Sequence, residues 1–262
     1  MNSGTSSTAR PTCLITGSAT GIGAACARLF AKNGWNVGIC SLDDETHTEA
    51  QAVLAACIAL GVDATLITLN VTDDESCVAA AQSTVARFGR IDALVNCAGT
   101  TRFVPHADLE ALSSAEFTRT YNVNLIGTFQ MIRACRDALA ASGHGAVVNL
   151  SSIAGTAGLG SSVAYAASKG AVSTLTLSLA RALAPHIRVN AIAPGYVVGG
   201  LPSRVLSSEK IEAVEAKYLQ TQALPRFLQV DEVAAMAYFL AVQAPGMTGE
   251  VVRMDNGLHL YA

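Results

Sequence analysis

Short apolar runs alternate with longer stretches whose apolar residues recur at helical spacing along nearly the whole chain. This rhythm predicts an α/β fold in which helices cover both faces of a parallel sheet. The predicted strands cover residues 12–16, 36–40, 64–69, 91–96, 146–150, 188–193 and 250–254. The predicted helices cover residues 21–33, 47–60, 73–88, 113–141, 162–184, 207–220 and 231–242.

The length and hydrophobic content of the chain predict one domain. With 262 residues, of which 51% are hydrophobic, the chain can bury one sizeable core without dividing into two. Residues 1–11 are rich in Ser and Thr and are predicted to form a flexible tail, so that the domain spans 12–262. Near 197–222 the rhythm breaks at Gly199, Gly200 and Pro202 and a polar helix follows, which predicts a substrate lid.

Composition and charge exclude several classes of partner. Charged residues make up 14% of the chain and the formal net charge is -3, so no basic field exists for nucleic acid or an anionic membrane. The apolar stretch 163–184 carries Lys169 and Arg181, which argues against a membrane span. The 7 cysteines are scattered without metal-site spacing, as is typical of buried thiols in a reducing compartment. We therefore expect a cytoplasmic protein that needs no metal.

A glycine-rich turn follows the first predicted strand. The segment 16–23, TGSATGIG, places Gly17, Gly21 and Gly23 at the start of the first predicted helix. Glycines let the backbone approach a pyrophosphate closely, and a helix N-terminus offers free N–H groups and a favourable dipole. Glycines also serve ordinary turns, but the strand–turn–helix context favours a nucleotide site.

Four polar side chains are candidates for the chemistry. Tyr165 and Lys169 stand four residues apart on a predicted helix, so they project from one face, either as a solvated pair or with the lysine cation favouring the phenolate. Ser152 follows a predicted strand, where ligands of open α/β sheets collect, although loop serines also serve turns. Asn124 lies within a predicted helix, where it bonds nearby backbone or positions Lys169 through a water.

Together, these motifs resemble the classical short-chain dehydrogenase/reductase family over almost the entire chain. The turn matches the family's TGxxxGxG signature, and the four candidates match its Ser-Tyr-Lys-Asn tetrad. The family marks NCAG, residues 96–99, and Pro194-Gly195 follow the fourth and sixth predicted strands. The resemblance implies a single-domain, Rossmann-type doubly wound sheet of seven parallel strands, a nicotinamide cofactor and a mechanism without metal.

The resemblance also implies a role for each site residue. Tyr165 would donate a proton and Ser152 would bind the reacting oxygen while hydride moves between the nicotinamide and the carbonyl carbon. The cofactor would be held by the glycine turn, by the residues after four strands and by the tyrosine helix. This cofactor set comprises Gly17, Ala19, Thr20, Gly21, Ile22, Gly23, Ser41, Leu42, Asn70, Val71, Asn96, Ala98, Gly99, Tyr165, Lys169, Pro194, Gly195 and Val197.

The choice between NAD and NADP depends on the end of the second strand, where an acid binds the ribose hydroxyl or a base binds the 2′-phosphate. Ser41 and Leu42 stand where family members often have Asp or Arg, and Thr20 replaces an arginine of many NADP-dependent members. The acids at 43–45 disfavour a phosphate and tilt the prediction toward NAD. Gly199 replaces a threonine that meets the carboxamide in the family, so we expect a looser lid and weaker cofactor binding.

The predicted reaction interconverts a ketone and a secondary alcohol. The pattern resembles 3-oxoacyl-[acyl-carrier-protein] reductases, so a 3-oxoacyl thioester of the carrier protein or of CoA is one candidate substrate, and a sugar, steroid or small alcohol is another. Family members are often tetramers, so we expect a homotetramer or homodimer. The alternative outside enzymes is a dinucleotide-binding scaffold or redox sensor. Arg102 and His106 are interpreted as solvated surface residues.

Overall fold

The structure is a computed structural model that describes residues 10–42 and 48–260. Residues 1–9 of the predicted tail, the acids Asp43, Asp44 and Glu45, and the predicted helix start at His47 lie outside the described residues. At the described end of the tail, the Arg10 guanidinium donates to the Gly61 carbonyl at 2.5 Å.

Nine strands form two parallel sheets within the described ranges. The strands are β1 (Thr12–Thr16), β2 (Asn36–Ser41), β3 (Ala64–Thr68), β4 (Ala93–Asn96), β5 (Gly145–Leu150), β6 (Ile187–Pro194), β7 (Val197–Val198), β8 (Leu228–Gln229) and β9 (Val251–Met254). The main sheet has seven strands in the order β3-β2-β1-β4-β5-β6-β9, which confirms the doubly wound fold. The strands β7 and β8 pair with each other and were not predicted, because two-residue strands leave no periodic signal.

The main sheet is buried because helices cover both of its faces. Successive residues of β1 point to opposite sides, so Cys13 and Ile15 belong to one hydrophobic core and Leu14 to the other. On the first side Phe30 anchors the packing, with its ring 5.3 Å from that of Trp35. All 7 cysteines are free, and all except the half-buried Cys97 are buried, as predicted for small hydrophobic side chains.

The helices agree with the predicted ones at most ends to within two residues. They are α1 (Gly21–Lys32), α2 (Thr48–Ala59), α3 (Asp74–Phe88), α4 (Ser114–Tyr121), α5 (Gly127–Ala141), α6 (Ala154–Ala157), α7 (Val163–Leu183), α8 (Pro202–Val205), α9 (Ser208–Thr221) and α10 (Val230–Tyr238). None of the helices in the described part of the chain is long and apolar enough to cross a membrane.

Two predicted helices are not uniform. The helix expected over 113–141 contains a π-helical turn at Asn122–Ile126 between α4 and α5. The helix expected over 231–242 likewise ends in a π-helical turn at Phe239–Gln243. Such turns insert one extra residue per turn and depend on tertiary partners, so the apolar period alone predicted continuous α-helices.

The sheet topology places the glycine turn opposite the loop that follows β4. The chain runs from β1 outward to β3 and then returns to β4 on the other side of β1, so the order reverses between β1 and β4. Ligands of open α/β sheets bind outside the carboxyl ends of the strands at such a reversal. The turns after Thr16 and Asn96, which are paired in the β1–β4 register, therefore face the expected ligand crevice.

Candidate active site

A cleft of about 1100 Å³ opens at the carboxyl ends of the central strands. It brings together residues from the ends of all the central strands, α7 and the segment after β6. From the predicted sites, the cleft is lined by Gly17, Ala19, Thr20, Gly21, Ile22, Gly23, Ser41, Leu42, Asn70, Val71, Ala98, Gly99, Ser152, Tyr165, Lys169, Pro194, Gly195 and Val197.

Two predicted site residues do not line the cleft. Asn96 is buried in β4, where its side-chain amide donates to the Asn149 side chain at 2.9 Å. That bond ties β4 to β5, so the side chain stabilises the sheet next to the site. Asn124 is also buried, behind the loop that carries Gly99.

The glycine turn fits a dinucleotide phosphate because its backbone is too close-packed for side chains. Gly17 and Gly21 have φ values of +61° and +56°, and a Cβ on Gly17 would lie 2.9 Å from the Ala98 backbone. A Cβ on Gly23 would lie 2.4 Å from the Gly17 carbonyl oxygen. Thr20, which precedes α1, makes no side-chain cap, so the first N–H groups of α1 can bind an anion. The residues therefore fit NAD(P).

The helix α7 presents Tyr165 and Lys169 to the cleft together. Ser162 begins the helix by accepting a hydrogen bond from the Tyr165 backbone N–H at 3.2 Å. The Lys169 ammonium lies 5.7 Å from the centroid of the Tyr165 ring and donates to the Leu150 carbonyl at 2.6 Å. This contact fixes α7 against the end of β5, so the two side chains form a pair inside the cleft and not on a solvated helix face.

Burial governs the protonation of this pair in the protein alone. Burial raises the pKa of Tyr165 to about 12, and a hydrogen bond with Ser152 opposes the shift. Burial lowers the pKa of Lys169 to about 8. Burial thus dominates the Tyr165 pKa in the chain by itself, and the lowering of that pKa by the Lys169 cation stays a prediction.

Ser152 lies directly beyond β5 and faces the tyrosine. Its hydroxyl donates to the Pro194 carbonyl at 3.4 Å and accepts from the Ala154 N–H at 3.2 Å. Its neighbour Ser151 is buried and bonds the Lys169 carbonyl at 2.9 Å and the Ser173 hydroxyl at 2.7 Å. Of the two serines, Ser152 is the one whose interaction with Tyr165 lowers the tyrosine pKa against the effect of burial.

Asn124 occupies the π-helical turn and bonds to the loop after β4. Its side-chain oxygen accepts from the Thr100 N–H at 2.8 Å, and its amide donates to the Thr100 carbonyl at 3.0 Å and to the Ser168 hydroxyl at 3.0 Å. Asn124 thus bonds backbone, but the backbone of a distant loop and not of its own helix. The bonds connect the cofactor loop to α7, one residue from Lys169.

Further residues that were not predicted as site residues also line the cleft. Most are apolar or aromatic and come from the loops after β4, β5 and β6 and from α9: Thr101, Phe103, His106, Leu159, Tyr196, Leu201, Val214, Tyr218 and Leu258. Tyr196 packs 5.3 Å from Tyr218 and 5.4 Å from Phe227, and its hydroxyl donates to Glu215 at 3.0 Å. Tyr196 could have been predicted as a cleft residue from the sequence, because it directly follows Pro194-Gly195.

The segment that begins at Gly199 lies on the glycine turn. Gly199 has a φ of +74°, which disfavours a threonine, and its carbonyl oxygen would be 3.0 Å from a Cβ on Gly21. The pairing of Val197 with Leu228 holds the start of this segment. The expected loosening of the lid stays a prediction.

The chain is similar to known oxidoreductases over nearly its full length. Residues 17–259 match the family model described as enoyl-(acyl carrier protein) reductase. A 3-oxoacyl-[acyl-carrier-protein] reductase of Staphylococcus aureus is 34% identical, covering 94% of this chain and 97% of the relative. A short-chain dehydrogenase/reductase structure from Burkholderia xenovorans is 47% identical with a TM-score of 0.89, covering 96% and 98% of the two chains. An NAD+-bound xylitol dehydrogenase structure is 30% identical with a TM-score of 0.83, covering 93% and 96%.

The chain belongs to the short-chain dehydrogenase/reductase family. It is an NAD(P)-dependent oxidoreductase that interconverts a ketone and a secondary alcohol, as the resemblance predicted. Family membership together with an intact tetrad favours an enzyme over a dinucleotide-binding scaffold or redox sensor. The family's fold binds NAD(P), and the glycine turn and cleft of this short-chain dehydrogenase/reductase fit that cofactor.

Proposed function

We propose that the enzyme reduces a ketone with Tyr165 as the proton donor. The observation that carries this proposal is the convergence of Ser152, Tyr165 and Lys169 on one cleft with the glycine turn. Bound NAD(P)H supplies hydride. Tyr165, with a pKa raised by burial, stays protonated at neutral pH and can donate its proton to the developing alkoxide. The Ser152 hydroxyl can donate a second hydrogen bond to the same oxygen.

Lys169 and Asn124 support the proton donor Tyr165 without contacting the reacting oxygen. The Lys169 ammonium lies 5.7 Å from the centroid of the Tyr165 ring, where its positive charge would stabilise the phenolate that remains after the proton is donated. Asn124 holds the loop of Gly99 and the start of α7 in register through its bonds to Thr100 and Ser168. In this role Asn124 is a positioning residue.

Replacement of the proton donor tests the proposal. Tyr165→Phe should lower kcat/KM for ketone reduction by about 10²- to 10⁴-fold, the usual contribution of a general acid, and leave the Kd for the cofactor unchanged. Tyr238→Phe removes a hydroxyl outside the cleft and should change neither quantity. The absorbance at 340 nm with a panel of ketones measures turnover. Retained activity in Tyr165→Phe would contradict the proposed role.

We propose NAD as the preferred cofactor. Ser41 is buried at the end of β2 and Leu42 follows it, 70% exposed at the rim of the cleft. Among the described residues lining the cleft, the Arg and Lys side chains are Arg119 and Lys169, and neither belongs to the glycine turn or the end of β2. A 2′-phosphate would therefore find no cation in the described part of that region.

A single substitution at the rim tests the cofactor preference. The wild type should use NADH with a higher kcat/KM than NADPH. Leu42→Arg should shift the ratio toward NADPH by about 10-fold or more, because one charge-assisted hydrogen bond contributes roughly 1.5–3 kcal/mol. Leu42→Gln is the uncharged control. A wild-type preference for NADPH would refute the assignment.

We also propose that copies of the chain associate through α5 and α7. Ile126 just before α5, Phe129 on α5 and Leu177 on α7 are 43%, 38% and 47% exposed, so both helices carry apolar side chains that a second copy could cover. Light scattering after size-exclusion chromatography should give two or four times the protomer mass of 26.9 kDa. Phe129→Glu should reduce that mass.

Two further points stay predictions. A 3-oxoacyl thioester remains the candidate natural substrate, and the protein is expected in the cytoplasm.

A further inference from the structure

The helix α9 presents one face to the cleft. Val214, Tyr218 and Thr221 all line the cleft, and their spacing of four and then three residues is that of a single helix face. Leu219, which follows Tyr218 in the chain, is exposed. The Tyr218 side chain is therefore directed into the cleft.

Tyr196 holds this face of α9 in place. Its hydroxyl donates to the Glu215 carboxylate at 3.0 Å, and its ring lies 5.3 Å from the ring of Tyr218 and 5.4 Å from the ring of Phe227. Tyr196 is itself buried, two residues after the end of β6. The main sheet thus fixes the Tyr218 ring through Tyr196, and a ring that is fixed before the ligand arrives loses little freedom on binding.

Tyr218 lies close to the reacting groups. The carbonyl of Pro194, two residues before Tyr196, accepts a hydrogen bond from the Ser152 hydroxyl at 3.4 Å. Burial raises the pKa of Tyr165, and the nearby Tyr218 adds to the shift. A ketone whose oxygen is bound by Ser152 and Tyr165 can therefore place a substituent of its carbonyl carbon against the Tyr218 ring.

The property that Tyr218 brings to this part of the cleft is an aromatic surface. The Tyr196 hydroxyl is engaged with Glu215, and Val214, one turn before Tyr218, is aliphatic. The rings of Tyr196 and Tyr218 are inclined at 35° to each other, so they form a stack that a further ring can extend. Aromatic rings prefer each other in offset or edge-to-face arrangements, and such pairs are favourable beyond the area that they bury.

We infer that the Tyr218 ring packs against an aromatic ring that the substrate carries beside the ketone to be reduced. This inference rests on the proposed ketone reduction and names a substrate class for it, the aryl ketones. A 3-oxoacyl thioester with an aryl group on the reacting carbonyl belongs to the same class. Tyr218 contacts the substrate outside the reacting atoms and sets specificity, and Tyr196 is a positioning residue.

A matched pair of ketones tests the inference. Acetophenone and cyclohexyl methyl ketone share a methyl ketone and a six-membered carbon ring, and differ in whether that ring is aromatic. Tyr218→Leu should lower the ratio of kcat/KM for acetophenone to kcat/KM for cyclohexyl methyl ketone by about 3- to 10-fold, the usual contribution of an aromatic pair. Tyr218→Phe keeps the ring and should leave the ratio at its wild-type value. The comparison with the wild type cancels the intrinsic reactivity of the two ketones.

Two controls separate recognition from a structural role. Leu219→Ala alters an exposed side chain of α9 that does not line the cleft, and it should leave the ratio unchanged. An equal change for both ketones in Tyr218→Leu would indicate a structural role and overturn the inference.

A pair of inhibitors gives a second measurement that needs no variant. Benzamide and cyclohexanecarboxamide are not reduced and differ in the same way as the two ketones. Benzamide should be the stronger competitive inhibitor of the wild type, although the cyclohexyl ring is the more hydrophobic of the two. Equal or weaker inhibition by benzamide would overturn the inference even if Tyr218→Leu failed to fold.

The outcome also distinguishes this inference from the proposed function. Turnover of either ketone that disappears in Tyr165→Phe upholds ketone reduction whatever Tyr218 does. If the ratio then stays constant in Tyr218→Leu, the role of Tyr218 is refuted while the proposed function stands. If the wild type reduces other ketones but neither of this pair, the aryl ketone class is refuted in the same way. If it reduces no ketone, both fail.

Discussion

Lys169 is expected to make the stability of the protein rise with pH in the alkaline range. Burial lowers its pKa from 10.5 to about 8 in the folded chain, so between these values the unfolded chain binds the lysine proton and the folded chain does not. The free energy of unfolding increases with pH wherever the unfolded state holds more protons. The buried Lys169 therefore lowers the free energy of unfolding least above pH 10.5 and most below pH 8.

The size of the effect follows from the shift. A shift from 10.5 to about 8 corresponds to about 3 kcal/mol in total, of which about 2 kcal/mol falls between pH 8 and pH 10. Other groups titrate in the opposite sense: burial raises the pKa of the Cys57 and Cys77 thiols to about 11 and that of Tyr165 to about 12. A comparison with Lys169→Met cancels these groups, since both proteins contain them.

Urea unfolding without cofactor at pH 8, 9 and 10, followed by the fluorescence of Trp35, measures the free energy of unfolding of each protein. The wild-type value minus the Lys169→Met value should increase by about 2 kcal/mol from pH 8 to pH 10. Lys169→Met also loses the hydrogen bond to the Leu150 carbonyl. This loss changes the difference in free energy of unfolding by the same amount at each pH, so it does not alter the increase with pH. Lys32→Met, at an exposed lysine, should give a flat difference. A flat or falling difference for Lys169→Met would refute the burial argument.

Two further substitutions probe the cofactor turn and the core. Gly23→Ala should weaken cofactor binding by at least about 10-fold, because the added Cβ would lie 2.4 Å from the Gly17 carbonyl oxygen. Gly246→Ala is the control, because its Cβ would enter open space and the cofactor should bind normally. A titration of nucleotide fluorescence measures both affinities. Arg188→Met should lower the free energy of unfolding by about 2–4 kcal/mol. The Arg188 guanidinium donates to the carbonyls of Leu240, Ala241 and Ala244, and without it these carbonyls lose their hydrogen bonds. Urea unfolding measures this, with exposed Arg181→Met as the control; equal stability of the two variants would contradict it.

Local chemistry was sufficient to predict the strands and the glycine turn. The alternation of apolar runs with helical periods predicted all seven strands of the main sheet, since a strand covered on both faces must be apolar along its length. The spacing of Tyr165 and Lys169 predicted their shared helix face because four residues make about one turn. These features depend on neighbours in the sequence, which are known before folding.

The remaining features depend on contacts between distant residues. The π-helical turn at Asn124 accompanies bonds to Thr100 and Ser168, 24 and 44 residues away, which no local period records. The pKa values of Tyr165 and Lys169 are set by burial, and the sequence shows only the favourable charge pair. His106 was predicted to lie on the surface and is half-buried in the lining of the cleft, where the bond from the Val104 N–H to the Ser161 carbonyl, far along the chain, holds its loop. Desolvation and long-range hydrogen bonds arise only when the chain is packed, and for that reason the tertiary structure alone decides them.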